Sequence, residues 1–233
     1  MDASPIIVDI ELHGAVTIVR WNDNENRFSL TSLLRWHAVL DQLESSSGPL
    51  AVVVTGHGKY FSNGLDLESL AQSPSDADEA LRLLHRLFGR LLLFPACTVA
   101  ALNGHVFAAG AMMASCFDYR IMREDRGYWC LPEADLGLPL TSGMFAAVTA
   151  RLPVSSAAEA MNSGRRYGAV EARQASLIDE YCSLDELFDV ATRRATEMAG
   201  KDRHVIAQHK RMLFGEAALA CGYSSDALSP GAL

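Results

Sequence analysis

The sequence predicts an α/β protein. Two short runs, residues 50–55 (LAVVVT) and 97–102 (CTVAAL), are almost wholly apolar, as strands covered on both faces are. Between and after them lie stretches with helical spacing. Strand and helix patterns alternate along the chain, the order that builds a sheet with helices packed against it. The 233 residues suit one large domain, or one domain with a small appendage. No Gly/Ser/Pro linker divides them. The division expected is a core over residues 1–150 and a helical part over 151–233.

The elements follow in order. Residues 5–12 and 14–21 are β-rich around Gly14, which predicts a hairpin. Residues 30–44 place Leu33, Leu34, Val39, Leu40 and Leu43 at helical spacing. After the strand at 50–55 comes a glycine-rich loop, 56–64. Residues 76–93 read as a helix, stopped by Pro95. The strand at 97–102 precedes a small-residue segment, 107–117, expected as a buried helix. Residues 118–123 (DYRIMR) are expected as a third strand. Beyond a loop holding Pro132 and Glu133, the chain reads as helical. Ser156-x-x-Glu159 and Ser183-x-x-Glu186 have the spacing of capping boxes, which mark helix starts. No period of 20–50 residues recurs, so a repeat array is not expected. The tail, 222–233, reads as disordered.

Composition removes several functions. Hydrophobic residues are 49% and charged residues 21%, enough for a sizeable core. Net charge is −8, with no basic footprint for nucleic acid. The five cysteines contain no C-x-x-C pair, and the seven histidines form no ligand cluster, so no metal site is expected. Residues 91–117 lack Asp, Glu, Lys and Arg, but Pro95 and Asn103-Gly104-His105 break the run. Two buried elements are expected there, not a membrane span. The first residues, MDASPIIVDIEL, lack the basic start and long apolar core of a secretory signal.

Three segments could carry chemistry. Lys59 to Leu67 (KYFSNGLDL) follows a buried strand, and Gly64 permits a sharp turn and close backbone approach to a ligand. Alone it reads first as a structural turn. Asn103 to Met113 (NGHVFAAGAMM) follows the next strand; the free N–H groups of a helix start there could hold an oxyanion. Alone it reads first as close helix–sheet packing. Leu131 to Pro139 (LPEADLGLP) sets Glu133 among apolar residues, where desolvation would raise its pKa and suit it to carry a proton. Alone, a capping or salt-bridged glutamate is the plainer reading.

Together and in this order, the segments resemble the crotonase (enoyl-CoA hydratase/isomerase) superfamily. The resemblance spans nearly the whole chain. It includes Asn26, Phe61-Ser-Asn-Gly-Leu-Asp66, Asn103-Gly104, Asp118-Tyr-Arg-Ile121, Pro132-Glu133-x-x-Leu-Gly137, Leu177-Ile-Asp-Glu180 and Lys210. It implies a ββα spiral core with a helical C-terminal oligomerisation region, forming a trimer or a dimer of trimers. It implies an acyl-CoA substrate, with no further cofactor. By position, the backbone N–H groups of Leu65 and Ala109 would form an oxyanion hole and Glu133 would be the acid/base. Ala109 stands where the family more often has Gly. Asn63, Gly64, Phe107, Ala108, Gly110, Met112 and Leu136 would surround the substrate, and Lys210 would lie near the CoA.

Within the superfamily, hydratases orient water with two glutamates. Met112 occupies the position of the first and cannot serve. A dienoyl-CoA isomerase would need an acid eight residues after Glu133, where Thr141 stands. One glutamate and an oxyanion hole suffice for a 1,3-proton shift, so the resemblance is greatest to Δ3-Δ2-enoyl-CoA isomerases of fatty-acid β-oxidation. Hydration, acyl-CoA hydrolysis on the same scaffold, and a catalytically silent CoA-binding subunit are the alternatives. A peroxisomal location follows from the resemblance alone; the final Gly-Ala-Leu is not the Ser-Lys-Leu address.

Overall fold

The computed structural model describes residues 8–224. Residues 5–7 of the expected hairpin, and the tail from residue 225, lie outside that range. The hairpin joins β1 (Val8–His13) to antiparallel β2 (Val16–Trp21). Then come α1 (Leu30–Glu44), β3 (Ala51–Gly56), β4 (Tyr60–Ser62), α2 (Leu67–Ala71) and α3 (Pro74–Leu92). They are followed by β5 (Cys97–Leu102), β6 (His105–Phe107), α4 (Ala109–Ser115), β7 (Tyr119–Arg123), β8 (Trp129–Cys130) and α5 (Glu133–Leu136). The chain continues through α6 (Ser142–Thr149), α7 (Val154–Ser163), α8 (Ala169–Gln174), β9 (Glu180–Cys182), α9 (Leu184–Ala199) and α10 (Arg203–Ala220).

The strands form two sheets. The larger has the order β1-β2-β3-β5-β7-β9 and is parallel from β2 onward. The smaller, β4-β6-β8, is also parallel. Three times, a strand in the large sheet leads to a strand in the small one and then to a helix. This is the ββα spiral that the resemblance implied. The unit recurs in space without recurring in sequence, because its turns share only a burial pattern.

Period-two alternation divides the core. In β3, Ala51 and Val53 face α9, where Leu187, Val190, Ala191 and Ala195 cover them. Val52 and Val54 face the other way, toward the large cluster that includes Trp36, Leu40, Leu84 and Phe88. Both faces of β3 are thus covered, as its apolar run predicted.

Several boundaries differ from expectation. The loop at 56–64 contains β4, and the segment 107–117 begins as β6; both strands have three residues, too short for alternation to register. The capping box at Ser183 forms: its hydroxyl accepts the Glu186 N–H, and the Glu186 carboxylate accepts the Ser183 N–H. The one at Ser156 does not. The helix there starts earlier, at Val154, because Pro153 with φ −54° already sets the entry and Ser156 falls inside the first turn. The sheet also continues past residue 150, since β9 pairs with β7 and α9 packs across β3 and β5.

A buried ionic hub ties these later helices to the core. The Lys210 ammonium, on α10, donates to Asp118 Oδ2 at 2.6 Å and to the Ala96 carbonyl at 2.8 Å. The same carboxyl oxygen accepts the Thr98 N–H and hydroxyl, and Arg151 lies 3.2 Å from Oδ1. Removing one partner of such a group strands the other. Asp118→Ala should therefore lower the unfolding free energy by about 3–5 kcal/mol in a denaturant titration. Lys210→Met should cost less, because Asp118 keeps Arg151 and Thr98.

Candidate functional site

The site is assembled from loops that leave the small sheet. Asn26 anchors the first. Its side chain donates to the Tyr60 and Phe61 carbonyls at 3.0 and 3.2 Å and accepts the Asp23 N–H at 2.9 Å. Its own carbonyl accepts the Ser62 hydroxyl at 2.7 Å. With φ +52° it adopts a left-handed conformation that asparagine tolerates better than most residues. Next, the Phe28 N–H donates to the Gly64 carbonyl and the Asp66 N–H donates to the Phe28 carbonyl. This parallel bridge brackets Leu65 and leaves its N–H unused.

The second loop abuts the first. Gly64 has φ +84°, and a Cβ there would lie 2.8 Å from the Ala108 Cβ and 3.4 Å from the Ala109 nitrogen. Ala108 itself sits at φ +52°, ψ −124°, a strained setting for a residue with a side chain. Its N–H donates to the Cys130 carbonyl and its carbonyl accepts the Met112 N–H. Ala109 opens α4, so its N–H has no intrahelical acceptor. Among the described residues, neither the Leu65 nor the Ala109 N–H makes a hydrogen bond. Gly110 does not line the cavity; it lets α4 press onto β4, where a Cβ would come within 2.7 Å of Ser62.

A cavity of about 430 Å³ opens beside these N–H groups. That is within the range of small-molecule sites. Leu65, Ala109, Asn63, Phe107, Ala108, Met112, Glu133 and Leu136 all line it, with Gly64 directly behind. The structure does not bring Lys210 there; its charge is engaged by Asp118 in the hub described above. Glu133 is the only carboxylate among the described lining residues. Burial raises its pKa, and its Oε2 is buried without a partner. Cys130 also lines the cavity, but burial pushes its thiol up to about 11, so it is a protonated donor to the Gly164 carbonyl and not a nucleophile.

Sequence reasoning missed part of the wall. Leu67 and Leu81 come from helices flanking the loops, and Met144 from α6. Arg27 lines the cavity and bonds Glu25, which also holds the Asn63 side chain at 2.8 Å. Arg166 stands at the cavity over the Phe107 ring. Nothing in the sequence marks Arg166. Leu138 and Pro139, which also line the cavity, lie within the segment already singled out, where the apolar residues after Glu133 were the available signal.

This is the site of an enzyme of the crotonase type: a partly buried carboxylate lines the same cavity as two backbone residues whose N–H groups are unengaged. The chain belongs to the enoyl-CoA hydratase/isomerase family, whose model matches residues 11–220. It is 36% identical over 207 residues to enoyl-CoA delta isomerase 3 of Arabidopsis thaliana, covering 83% of this chain and 86% of that one. The peroxisomal enoyl-CoA delta isomerase 2 of the same plant is 32% identical over equal shares. The crystal structure of human mitochondrial delta3-delta2-enoyl-CoA isomerase superposes with a TM-score of 0.85 at 24% identity, covering 92% of this chain and 85% of that one, which supports the fold.

The abutting loops yield a test. Gly64→Ala must displace either Ala108 or the Ala109 N–H. If these N–H groups act as oxyanion donors, it should lower turnover by about 100-fold, the loss typical of one misplaced donor, with a smaller effect on acyl-CoA affinity. Steady-state kinetics and calorimetry would measure the two.

Proposed function

We propose that the protein is a Δ3-Δ2-enoyl-CoA isomerase acting in fatty-acid β-oxidation. The observation that carries this reading is the single carboxylate, Glu133, in a cavity whose remaining wall is largely apolar. Glu133 takes a proton from C2 of a 3-enoyl-CoA. The electron pair delocalises, and negative charge develops on the thioester oxygen. The N–H groups of Leu65 and Ala109 hold that oxygen, worth roughly 3–4 kcal/mol per donor in comparable sites. Glu133 then returns the proton at C4, giving the conjugated 2-enoyl-CoA. No atom is gained or lost, and no cofactor is required beyond the CoA carried by the substrate. Met112 keeps the wall apolar where a hydratase would orient water, which protects the dienolate.

The names of the Arabidopsis relatives support isomerisation, and two are designated peroxisomal, the location proposed for this chain. A homotrimer or dimer of trimers is proposed for the assembly. In its support, α10 exposes Met212, Leu213 and Leu219. Sedimentation analysis checks it.

Incubation with a 3-enoyl-CoA in deuterated water tests the reaction. Formation of 2-enoyl-CoA is expected. A 3-hydroxyacyl product would assign hydration instead, and free CoA would assign hydrolysis. Acyl-CoA binding without exchange at C2 would identify a silent subunit. Glu133→Gln should retain binding and lose at least 100-fold in turnover, the usual worth of a positioned acid/base.

The raised pKa of Glu133 sets two further expectations. The base must be ionised, so kcat/KM should fall as pH drops through a value above the ordinary 4.5 for glutamate. The folded state also holds this proton more tightly than the unfolded chain does. The group therefore favours folding at low pH and costs stability as pH rises through the raised value. At neutral pH, Glu133→Gln should raise the melting temperature while abolishing turnover.

A further inference from the structure

The cavity wall carries a second polar station that the proposed isomerisation does not use. Thr141 lines the cavity at the start of α6, in sequence beside the apolar wall residues Leu138, Pro139 and Met144. Its Oγ1 lies 2.8 Å from Nε2 of His85, which reaches across from α3. The His85 ring fits because residue 143 is glycine: a Cβ there would lie 2.9 Å from the ring Cγ. Leu81, one turn before His85 on α3, also lines the cavity. Of the other polar liners, Cys130 donates to the Gly164 carbonyl and Arg166 stands over the Phe107 ring. Arg27 and Asn63 both bond Glu25, and Glu133 is the proposed base.

Thr141 has one donor and two acceptor sites. One acceptor site caps α6, taking the Met144 N–H at 3.3 Å. That cap does not need the imidazole. Burial lowers the His85 pKa, so the ring is neutral and either nitrogen can carry its proton. If Nε2 carries it, His85 donates to Thr141 and the threonine O–H is left as a donor. If Nδ1 carries it, Thr141 donates to Nε2 and a lone pair is left as an acceptor. A ligand hydroxyl matches both states, whereas a carbonyl matches only the first.

We propose that Thr141 and His85 form a hydroxyl-recognition site on the cavity wall, so that the preferred ligands are acyl-CoA thioesters bearing a hydroxyl on the chain. This rests on the acyl-CoA reading of the cavity. It names a substrate class within that reading. Polar groups placed singly in apolar cavities set orientation and specificity in this way.

The test uses saturated acyl-CoAs of one chain length, with a hydroxyl moved outward from C4, titrated calorimetrically into the whole protein. One position should bind on the order of tenfold more tightly than the unsubstituted chain, the worth of one net hydrogen bond. Thr141→Val and His85→Phe should each bring that ratio close to one, and Thr141→Ser should keep it. A role limited to tying α3 to α6 would lower the melting temperature without changing the ratio. If no hydroxylated chain binds more tightly, or if the preference survives Thr141→Val, the proposal is overturned. Should Thr141→Val fail to fold, His85→Phe decides. Turnover of the unsubstituted 3-enoyl-CoA by the unaltered protein is measured separately, so failure of the isomerase reading is seen independently of this one.

Discussion

The close approach of two backbone turns, at Gly64 and at Ala108–Ala109, is the constraint on which the site depends. Each turn ends a strand of the small sheet, and parallel pairing of β4 with β6 brings them side by side. The approach is possible only because Gly64 lacks a Cβ where Ala108 presents one. Only the second turn is strained, because glycine adopts positive φ freely and alanine does not. Gly64 and Ala108 both lie at positive φ, and surrounding bonds hold them there. Asn26 fixes the first from below, and the Cys130 carbonyl fixes the second from the side. The two N–H groups are thus fixed in place by the fold, which is what the proposed oxyanion role would require.

The same dryness serves several residues at once. The apolar wall that leaves Glu133 Oε2 without a partner also raises its pKa, making it a stronger base once ionised. It raises the Cys130 thiol as well, to about 11, so the thiol stays protonated. These effects have one cause, desolvation, and need no separate tuning. The cost is a buried carboxylate with an unsatisfied oxygen, a feature that a sequence selected for stability alone would lack.

The charge on α10 has a different use. Lys210 is 6% exposed and is spent on Asp118, at the opposite end of the β5–β7 pair from the cavity loops. Thr98 and Arg151 complete the hub, so strand β5, the loop before β7, the turn after α6 and helix α10 meet at one carboxylate. The C-terminal segment is therefore part of the core's architecture, as β9 within the large sheet also attests.

The sequence by itself determined the large elements and singled out the three segments that line the cavity. Apolar runs gave β3 and β5, helical spacing gave α1 and α3, and one glutamate among apolar residues stood out at position 133. These are local signals, carried by residues close together in the chain. What only the tertiary structure decided depends on contacts across long separations. The small sheet was invisible because its strands of two or three residues are too short to show alternation. The pairing of Thr141 with His85, the placing of Arg166 at the cavity, and the withdrawal of Lys210 into an ionic hub each join residues distant in sequence. No periodicity encodes such meetings. They are fixed only when parallel pairing and helix packing set the distances between side chains.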